Sequence, residues 1–188
     1  IIPFFRVLIN FACLLLRYNY YKLQKPMLDK LMVCAHEVPK QDNLPLKLAC
    51  ADFSFPLVSH NNSFDIISML GFEGVDIGLF PERSHFQPKD FVNNSAQSAL
   101  DLSSKVEDRG LEIADIFLQP APDLDKLTPN HPSDKERIKW RDLFQRTLDF
   151  TARCGASHMT TLPGIHFEEE AHIDSLKRAS DELSWCAR

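Results

Sequence analysis

Four histidines stand in polar loops that follow short apolar segments of the chain: His60, His85, His131 and His166. An imidazole can hydrogen-bond the hydroxyl or phosphate groups of a substrate, move a proton near neutral pH or ligate a metal. Other polar side chains that could contact a ligand stand beside these histidines, namely Asn61, Asn62, Arg83, Gln119 and Glu168. Loops are polar in most proteins, so the alternative is an ordinary solvent-exposed role for each of them.

Two carboxylates and a Pro-Gly pair are further candidates. Asp76 and Asp115 stand inside apolar segments, where a buried carboxylate needs a partner, and we expect structural roles for both. Pro163 and Gly164 follow a third apolar segment, and a glycine lets the backbone come close to a ligand.

Several established catalytic motifs are absent from the sequence. It contains no Gly-x-Ser-x-Gly elbow, no phosphate-binding Walker loop and no His-Glu-x-x-His. The segment His166-Phe167-Glu168 matches the His-x-Glu of zinc deaminases, but the Pro-Cys-x-x-Cys that completes their zinc site is missing. No reaction can therefore be assigned from these motifs.

The composition is that of an ordinary globular protein with small-molecule partners. Of its 188 residues, 44% are hydrophobic and 25% charged, and the net charge is -5 with no run of Lys or Arg. We therefore expect no nucleic-acid partner. The cysteines stand singly, without disulfide or zinc spacing, which predicts small buried side chains and a reducing, cytoplasmic location: Cys13, Cys34, Cys50, Cys154 and Cys186.

Residues 1–43 are set apart from the rest as an N-terminal extension. Residues 1–16 are apolar but contain Arg6 and Asn10, and they are fewer than the roughly 20 residues that cross a bilayer. They also lack the order of a signal peptide, so we expect no membrane partner. The chain does not begin with Met, and Met27 is an alternative start. We expect residues 44–188 to form the folded domain.

In the remainder of the chain, a short apolar segment, a polar loop, an amphipathic helix and a glycine recur in that order. Strands are predicted at 46–55, 75–80, 111–118 and 158–162. Helices are predicted at 63–70 with Ser63 as N-cap, at 95–109, from Ser133 to Gly155, and at 168–188. Ser133 and Glu136 have capping-box spacing. The predicted buried stripes are Phe64, Ile67, Leu70; Ala99, Leu102, Val106; Trp140, Leu143, Phe144, Thr147, Leu148, Thr151; and Ile173, Leu176, Ala179, Leu183.

This alternation predicts an α/β fold with a parallel sheet. Helix-to-strand turns are short, whereas the strand-to-helix loops 56–62, 81–94 and 120–132 are long, as in a (β/α)8 TIM barrel whose working face lies at the C-terminal ends of its strands. The first of these loops has no glycine, so dinucleotide binding is not predicted. Four units make half a barrel with two open sheet edges, which predicts an incomplete sequence, with aggregation or assembly as alternatives.

Residues 71–80 (GFEGVDIGLF), 110–119 (GLEIADIFLQ) and 155–164 (GASHMTTLPG) resemble strands two, three and four of the xylose isomerase-like TIM-barrel superfamily. The group includes sugar phosphate isomerases, epimerases and inosose dehydratases. The resemblance implies that the full-length parent is a sugar or sugar-phosphate isomerase or epimerase acting by metal-assisted proton transfer next to a carbonyl. Its divalent metal would be Mn, Mg, Co or Zn, with ligands from strand five onward. No metal ligand or catalytic residue is therefore assigned before Arg188, and we expect the chain to be inactive alone.

Five rim positions match the early loops of the superfamily, and the resemblance implies that they bind a sugar-like substrate: His85, Gln119, Pro163, Gly164 and His166. An apurinic endonuclease-like hydrolase is an alternative within the same superfamily, but it requires a basic, phosphate-binding rim that the net charge of -5 disfavours. A non-catalytic binding module, or a half-barrel that pairs with a second copy as a homo-oligomer, is the remaining alternative.

Overall fold

The computed structural model describes residues 47–187, and the predicted extension at 1–43 lies outside them. Four parallel strands form one sheet in the order β1-β2-β3-β4: β1 Ala49–Ala51, β2 Gly74–Leu79, β3 Glu112–Leu118 and β4 Met159–Thr161. Sequential order with parallel pairing requires a crossover between each pair of strands. The predicted half of a barrel is thus confirmed.

Three helices make these connections, α1 His60–Met69, α2 Ser95–Glu107 and α3 Asp134–Arg153, and a fourth, α4 His172–Cys186, follows the last strand. Short 3-10 turns occupy Asp52–Ser54 and Pro88–Asp90. Among residues 47–187, no helix is both long and apolar enough to cross a membrane.

The core lies between one face of the sheet and the helices. Alternate residues of β2 and β3 point into it, because successive side chains of a strand point to opposite faces. The predicted stripes of α1 and α2 lie against them, except for Leu70, which is 62% exposed. The main buried contributors are Val75, Ile77, Leu79, Ile116, Leu118, Phe64, Ile67, Ala99, Leu102, Val106 and Phe150.

Strand β1 is shorter than predicted. It ends at Ala51, and Asp52 begins a 3-10 turn. The Oδ1 atom of Asp52 accepts a hydrogen bond from the backbone N–H of Gly78, at 3.0 Å. A side chain therefore satisfies a donor of β2 beyond the last backbone pairing of Ala51 with Asp76.

The predicted start of α1 is wrong, and the predicted capping box of α3 does not form. Helix α1 begins at His60, and Ser59 rather than Ser63 is its N-cap, with its hydroxyl accepting from Asn62 N–H at 3.2 Å. The buried Ser63 hydroxyl donates to the His60 carbonyl instead, at 2.7 Å. Ser133 does precede α3, but its side chain makes no capping hydrogen bond, so the predicted capping box does not form.

Helix α4 buries two polar residues, and two of the four residues in its predicted apolar stripe are exposed, while Ala179 and Leu183 are half-buried. It begins at His172, and its buried residues are Ser175 and Glu182, whereas Ile173 and Leu176 are 69% and 52% exposed. The Glu182 carboxylate accepts from Arg141 at 2.6 and 2.7 Å and from Arg137 at 3.2 Å. Both arginines lie on α3, where Leu148, also predicted to be buried, is 47% exposed.

Candidate functional site

The C-terminal ends of the four strands meet at one edge of the sheet, because all four strands are parallel. Loops 52–59, 80–94, 119–133 and 162–171 leave this edge, and we call the edge with these loops the C-terminal rim. The opposite connections are 70–73, 108–111 and 154–158, which are much shorter. Any site built from several loops of this chain therefore belongs at the C-terminal rim.

A buried carboxylate-imidazole pair lies at the C-terminal end of β1. Asp52 is 0% exposed, and its Oδ2 atom accepts from His60 Nε2 at 2.9 Å. The His60 side chain is 17% exposed, so the ring stands between the buried carboxylate and the surface. A buried charge needs such partners to offset the loss of hydration.

His60 also contacts His85, the predicted binding residue of the loop after β2. Their rings stack at 5.0 Å between centroids and 16° between planes. His85 Nε2 lies 3.2 Å from the carbonyl oxygen of Phe55, in the loop after β1. Phe64 contacts the His60 ring at 4.2 Å between centroids. The first two loops of the rim are thus joined through two imidazoles.

Three aromatic rings cluster at the β1, β2 and β3 ends of the sheet. The centroid of Phe80 lies 4.9 Å from that of Phe53 and 5.1 Å from that of Phe117. Gly78 lies beneath them, where an added Cβ would come within 2.5 Å of the Phe53 ring. Phe53, Phe80 and Phe117 are each half-buried. They form an apolar surface next to the polar loops, a combination common in sites that bind small molecules.

The loops after β3 and β4 enclose a shallow pocket that includes two of the predicted residues, Gln119 and Gly164. The Gln119 side chain donates from Nε2 to the carbonyl of Ala121 at 2.9 Å, which fixes its amide at the pocket edge. The remaining lining residues are Pro120, Ala121, Asp123, Leu124, Lys126, Leu127, Thr128, Pro129, Leu162 and Ile165. Lys126 donates to Asp123 at 2.7 Å and lowers the pKa of that carboxyl.

Asn130 ties the two walls of this pocket together. Its Oδ1 atom accepts from the backbone N–H of Ile165 at 3.2 Å, and its Nδ2 donates to the carbonyl of the same residue. Nδ2 also donates to Ser175 Oγ on α4, at 2.7 Å. Gly164 packs directly against the Asn130 side chain, so the close backbone approach that the sequence predicts at Gly164 is made by this amide.

The structure places the other two predicted residues apart from both groups. Pro163 and His166 are exposed and do not line the pocket. His166 Nδ1 lies 3.4 Å from Nδ1 of His172, the first residue of α4. The five predicted residues therefore share the rim but occupy three places: His85 beside β1 and β2, Gln119 with Gly164, and Pro163 with His166.

The two mid-strand carboxylates, Asp76 and Asp115, lie within the sheet. Asp115 is 2% exposed and accepts from Thr160 Oγ1 at 3.2 Å, across the β3-β4 pair. Asp76 is half-buried opposite Asp115 in the register of β2 and β3. Within residues 47–187, no group of three or more His, Cys, Asp or Glu side chains is arranged to hold a metal.

Sequence reasoning missed Asp52 and Asn130. Asp52 could have been found from the sequence, because it is the first polar residue after the apolar segment at Leu48–Ala51. That position directly follows the C-terminal end of β1. Asn130 had none, since its partners Ile165 and Ser175 are 35 and 45 residues away along the chain. Together, the rim residues offer imidazole, carboxylate and amide groups beside an aromatic surface, which suits a small polar ligand with apolar faces.

Comparisons with known proteins agree with this architecture. A family model described as xylose isomerase-like TIM barrel matches residues 64–188. The crystal structure of a D-psicose 3-epimerase in the presence of D-fructose superposes with a TM-score of 0.58 and 12% identity, over 76% of this chain and 47% of that one. The D-psicose 3-epimerase of Clostridium cellulolyticum H10 with D-tagatose gives a TM-score of 0.58 and 10% identity over the same shares, 76% and 47%.

The chain spans about half the length of these two enzymes. No protein with curated annotation matches it. At such low identities the structural likeness shows the fold alone. The family model covers most of the described residues, including β2 to β4 and every helix except the first residues of α1. The chain therefore belongs to the xylose isomerase-like TIM barrel family.

Proposed function

We propose that the protein is a sugar or sugar-phosphate isomerase or epimerase that transfers a proton next to a carbonyl, and that this chain supplies one half of its substrate-binding rim. The observation that carries the proposal is the placement of His85, Gln119 and Gly164 on loops of one rim in a member of this family. The epimerase structures that share the fold support it. The chain spans only about half the length of those enzymes. The activity of the whole protein is therefore itself part of what we propose.

The rim residues would bind and orient the substrate. His85, Gln119 and His166 offer donors and acceptors for hydroxyl groups, while Pro163 and Gly164 shape the backbone at the end of β4. The aromatic surface of Phe53, Phe80 and Phe117 would pack against the C–H face of a sugar, as aromatic rings do in many ligand sites.

The divalent metal implied by the family resemblance does not fit the residues described in this chain. Residues 47–187 contain no group of three suitable ligands. We therefore assign no step to a metal here and no proton-transferring group to this chain. The chain alone is expected to bind sugars weakly and not to turn them over.

Saturation-transfer NMR with the purified chain tests the proposal. The ligands are ketohexoses, aldohexoses and their phosphates, and the variants are His85→Ala and Gln119→Ala. We expect saturable, millimolar binding of at least one sugar, weakened about fivefold or more in each variant. Asp142→Ala is the matched control, because Asp142 is exposed on α3 and pairs only with Arg146 among the residues described.

Two results would contradict the proposal. Absence of saturable binding by every sugar would remove substrate binding from this rim, and equal binding by wild type and both variants would place it elsewhere. Turnover is measured in the same samples with added Mn²⁺, Mg²⁺, Co²⁺ or Zn²⁺. Product formation by the chain alone would show that its own residues transfer the proton, against our expectation.

A further inference from the structure

Asp52 has two hydrogen-bonding partners of different kinds. Oδ1 accepts from the Gly78 backbone N–H at 3.0 Å, and Oδ2 accepts from His60 Nε2 at 2.9 Å. A backbone N–H can only donate, and an ionised carboxylate can only accept. His60 must therefore carry a proton on Nε2, and when its ring is neutral Nδ1 holds the lone pair.

His85 is constrained in the same way as His60. Its Nε2 lies 3.2 Å from the Phe55 carbonyl oxygen, which can only accept. Nε2 of His85 is therefore also protonated, and its Nδ1 is the nitrogen left over. Neither Nδ1 makes a hydrogen bond to any residue of the described segment.

The two rings are held against each other. Their ring centroids are 5.0 Å apart and their planes differ by 16°. Phe64, which lies in the same helix as His60, packs against the His60 ring. Asp52 is fully buried, His60 is 17% exposed on its side chain, and His85 is half-buried nearer the loop surface. A fixed carboxylate thus determines the orientation and tautomer of one imidazole, which in turn provides the surface on which the second lies.

We infer that Asp52 is the positioning residue of a two-imidazole acceptor site, in which His60 Nδ1 and His85 Nδ1 accept hydrogen bonds from hydroxyl groups of a polyol. The identity of the ligand rests on the proposed function, whereas the tautomers follow from the hydrogen bonds of His60 and His85. Asp52 touches no substrate in this scheme and acts through His60. Carboxylate-oriented imidazoles in other proteins depend on the same fixing of the tautomer.

Asp52→Asn gives a result that a merely structural role would not produce. The Gly78 N–H still requires an acceptor, so the carboxamide oxygen of the new side chain stays there and its NH₂ group turns toward His60. His60 must then accept at Nε2 and carry its proton on Nδ1. Long-range ¹H–¹⁵N correlation spectra of the imidazole nitrogens, recorded at a pH where the rings are neutral, report this directly. The matched control is Asp142→Asn, the same change at an exposed carboxylate.

We expect the Nε2–H form of His60 and His85 in the wild type and in Asp142→Asn, and the Nδ1–H form of His60 in Asp52→Asn. Sugar affinity should fall at least fivefold in Asp52→Asn and stay unchanged in Asp142→Asn. A folded Asp52→Asn with His60 still in the Nε2–H form would overturn the inference. So would a switched tautomer with unchanged affinity for a sugar that the wild type binds.

Solvent exchange of the imidazole protons keeps the outcome decisive where the variant does not fold or no sugar binds. If Asp52→Asn does not fold, solvent exchange in the wild type decides: the His60 Nε2–H proton should exchange at least tenfold more slowly than that of exposed His166, and equal rates would overturn the inference. If the wild type binds no sugar, the proposed function fails, while the tautomer and exchange data still establish or refute the Asp52-His60 arrangement.

Discussion

The side-chain amide of Asn130 occupies the space that a side chain on Gly164 would need. Gly164 has a φ of 109°, a conformation that residues with a Cβ rarely adopt. Asn130 is 4% exposed and bonds both backbone groups of Ile165, the next residue. This contact fixes the loop after β4 against the loop after β3, and both loops line the pocket that contains Gln119.

Gly164→Ala should therefore destabilise the protein by about 3 kcal/mol, because it combines backbone strain with a steric clash. Gly155→Ala is the control: its φ is 75°, but no atom lies within 4 Å of an added Cβ, so strain alone should cost about 1 kcal/mol. Urea unfolding measures both free energies. Equal losses in the two variants would show that the Asn130 contact is unimportant.

The fold could be predicted from the sequence because the strand-helix alternation is carried by local patterns. Buried apolar segments mark β2 and β3, and the stripe of Ala99, Leu102 and Val106 marks α2. These patterns depend on residues close together in the chain. The same locality places His85 on the rim, since it follows β2 directly.

The errors arise where partners come from distant parts of the chain. The apolar stripe of α4 predicts burial of Ile173 and Leu176, but Glu182 meets Arg141 from 41 residues away, and this contact selects the polar face. The apolar segment around Asp52 predicts a strand, yet the Gly78 N–H 26 residues away holds the Asp52 side chain in the rim. A buried ion pair with several hydrogen bonds can override an apolar stripe, and its partners cannot be read from local periodicity.

The two serines at helix starts provide a second test. Ser59→Ala should cost about 1 kcal/mol, because the Ser59 hydroxyl accepts from Asn62 N–H at the start of α1. Ser133→Ala should change the free energy of unfolding by less than about 0.5 kcal/mol, because the Ser133 side chain makes no capping hydrogen bond. Thermal or urea unfolding compares the two. A larger loss of unfolding free energy in Ser133→Ala would indicate that the capping box predicted from the sequence does form.

The Glu170-Arg178 ion pair should make stability depend on acid pH. The hydrogen bond from Arg178 lowers the pKa of Glu170 below its ordinary value of 4.5. A group with a lowered folded pKa contributes stability above the unfolded pKa and loses it as pH falls through the folded one. Glu170→Gln should therefore be less stable than wild type above about pH 4.5, and the two should converge below it.

Urea unfolding of both proteins between about pH 7 and pH 3 measures this difference. Glu168→Gln is the control, because Glu168 is exposed and pairs with no cation in the described residues. The opposite outcome is that wild type and Glu170→Gln differ in unfolding free energy by the same amount at every pH. That result would contradict the Glu170-Arg178 ion pair as the cause, because its contribution depends on the protonation of Glu170.

The thiols of buried Cys154 and half-buried Cys186 should react slowly in the folded protein. Burial raises the pKa of Cys154 to about 12 from 9.0, and burial followed by the charge of Glu182 raises that of Cys186 to about 11. Each unit lowers the thiolate fraction about tenfold, so near pH 8 iodoacetamide should modify Cys154 about 1000-fold and Cys186 about 100-fold more slowly than in the urea-unfolded chain. Peptide mapping by mass spectrometry separates the sites. If Cys154 were modified as fast in the folded as in the unfolded chain, its thiol would not be enclosed between α3 and the sheet, and the packing of that helix would have to be revised.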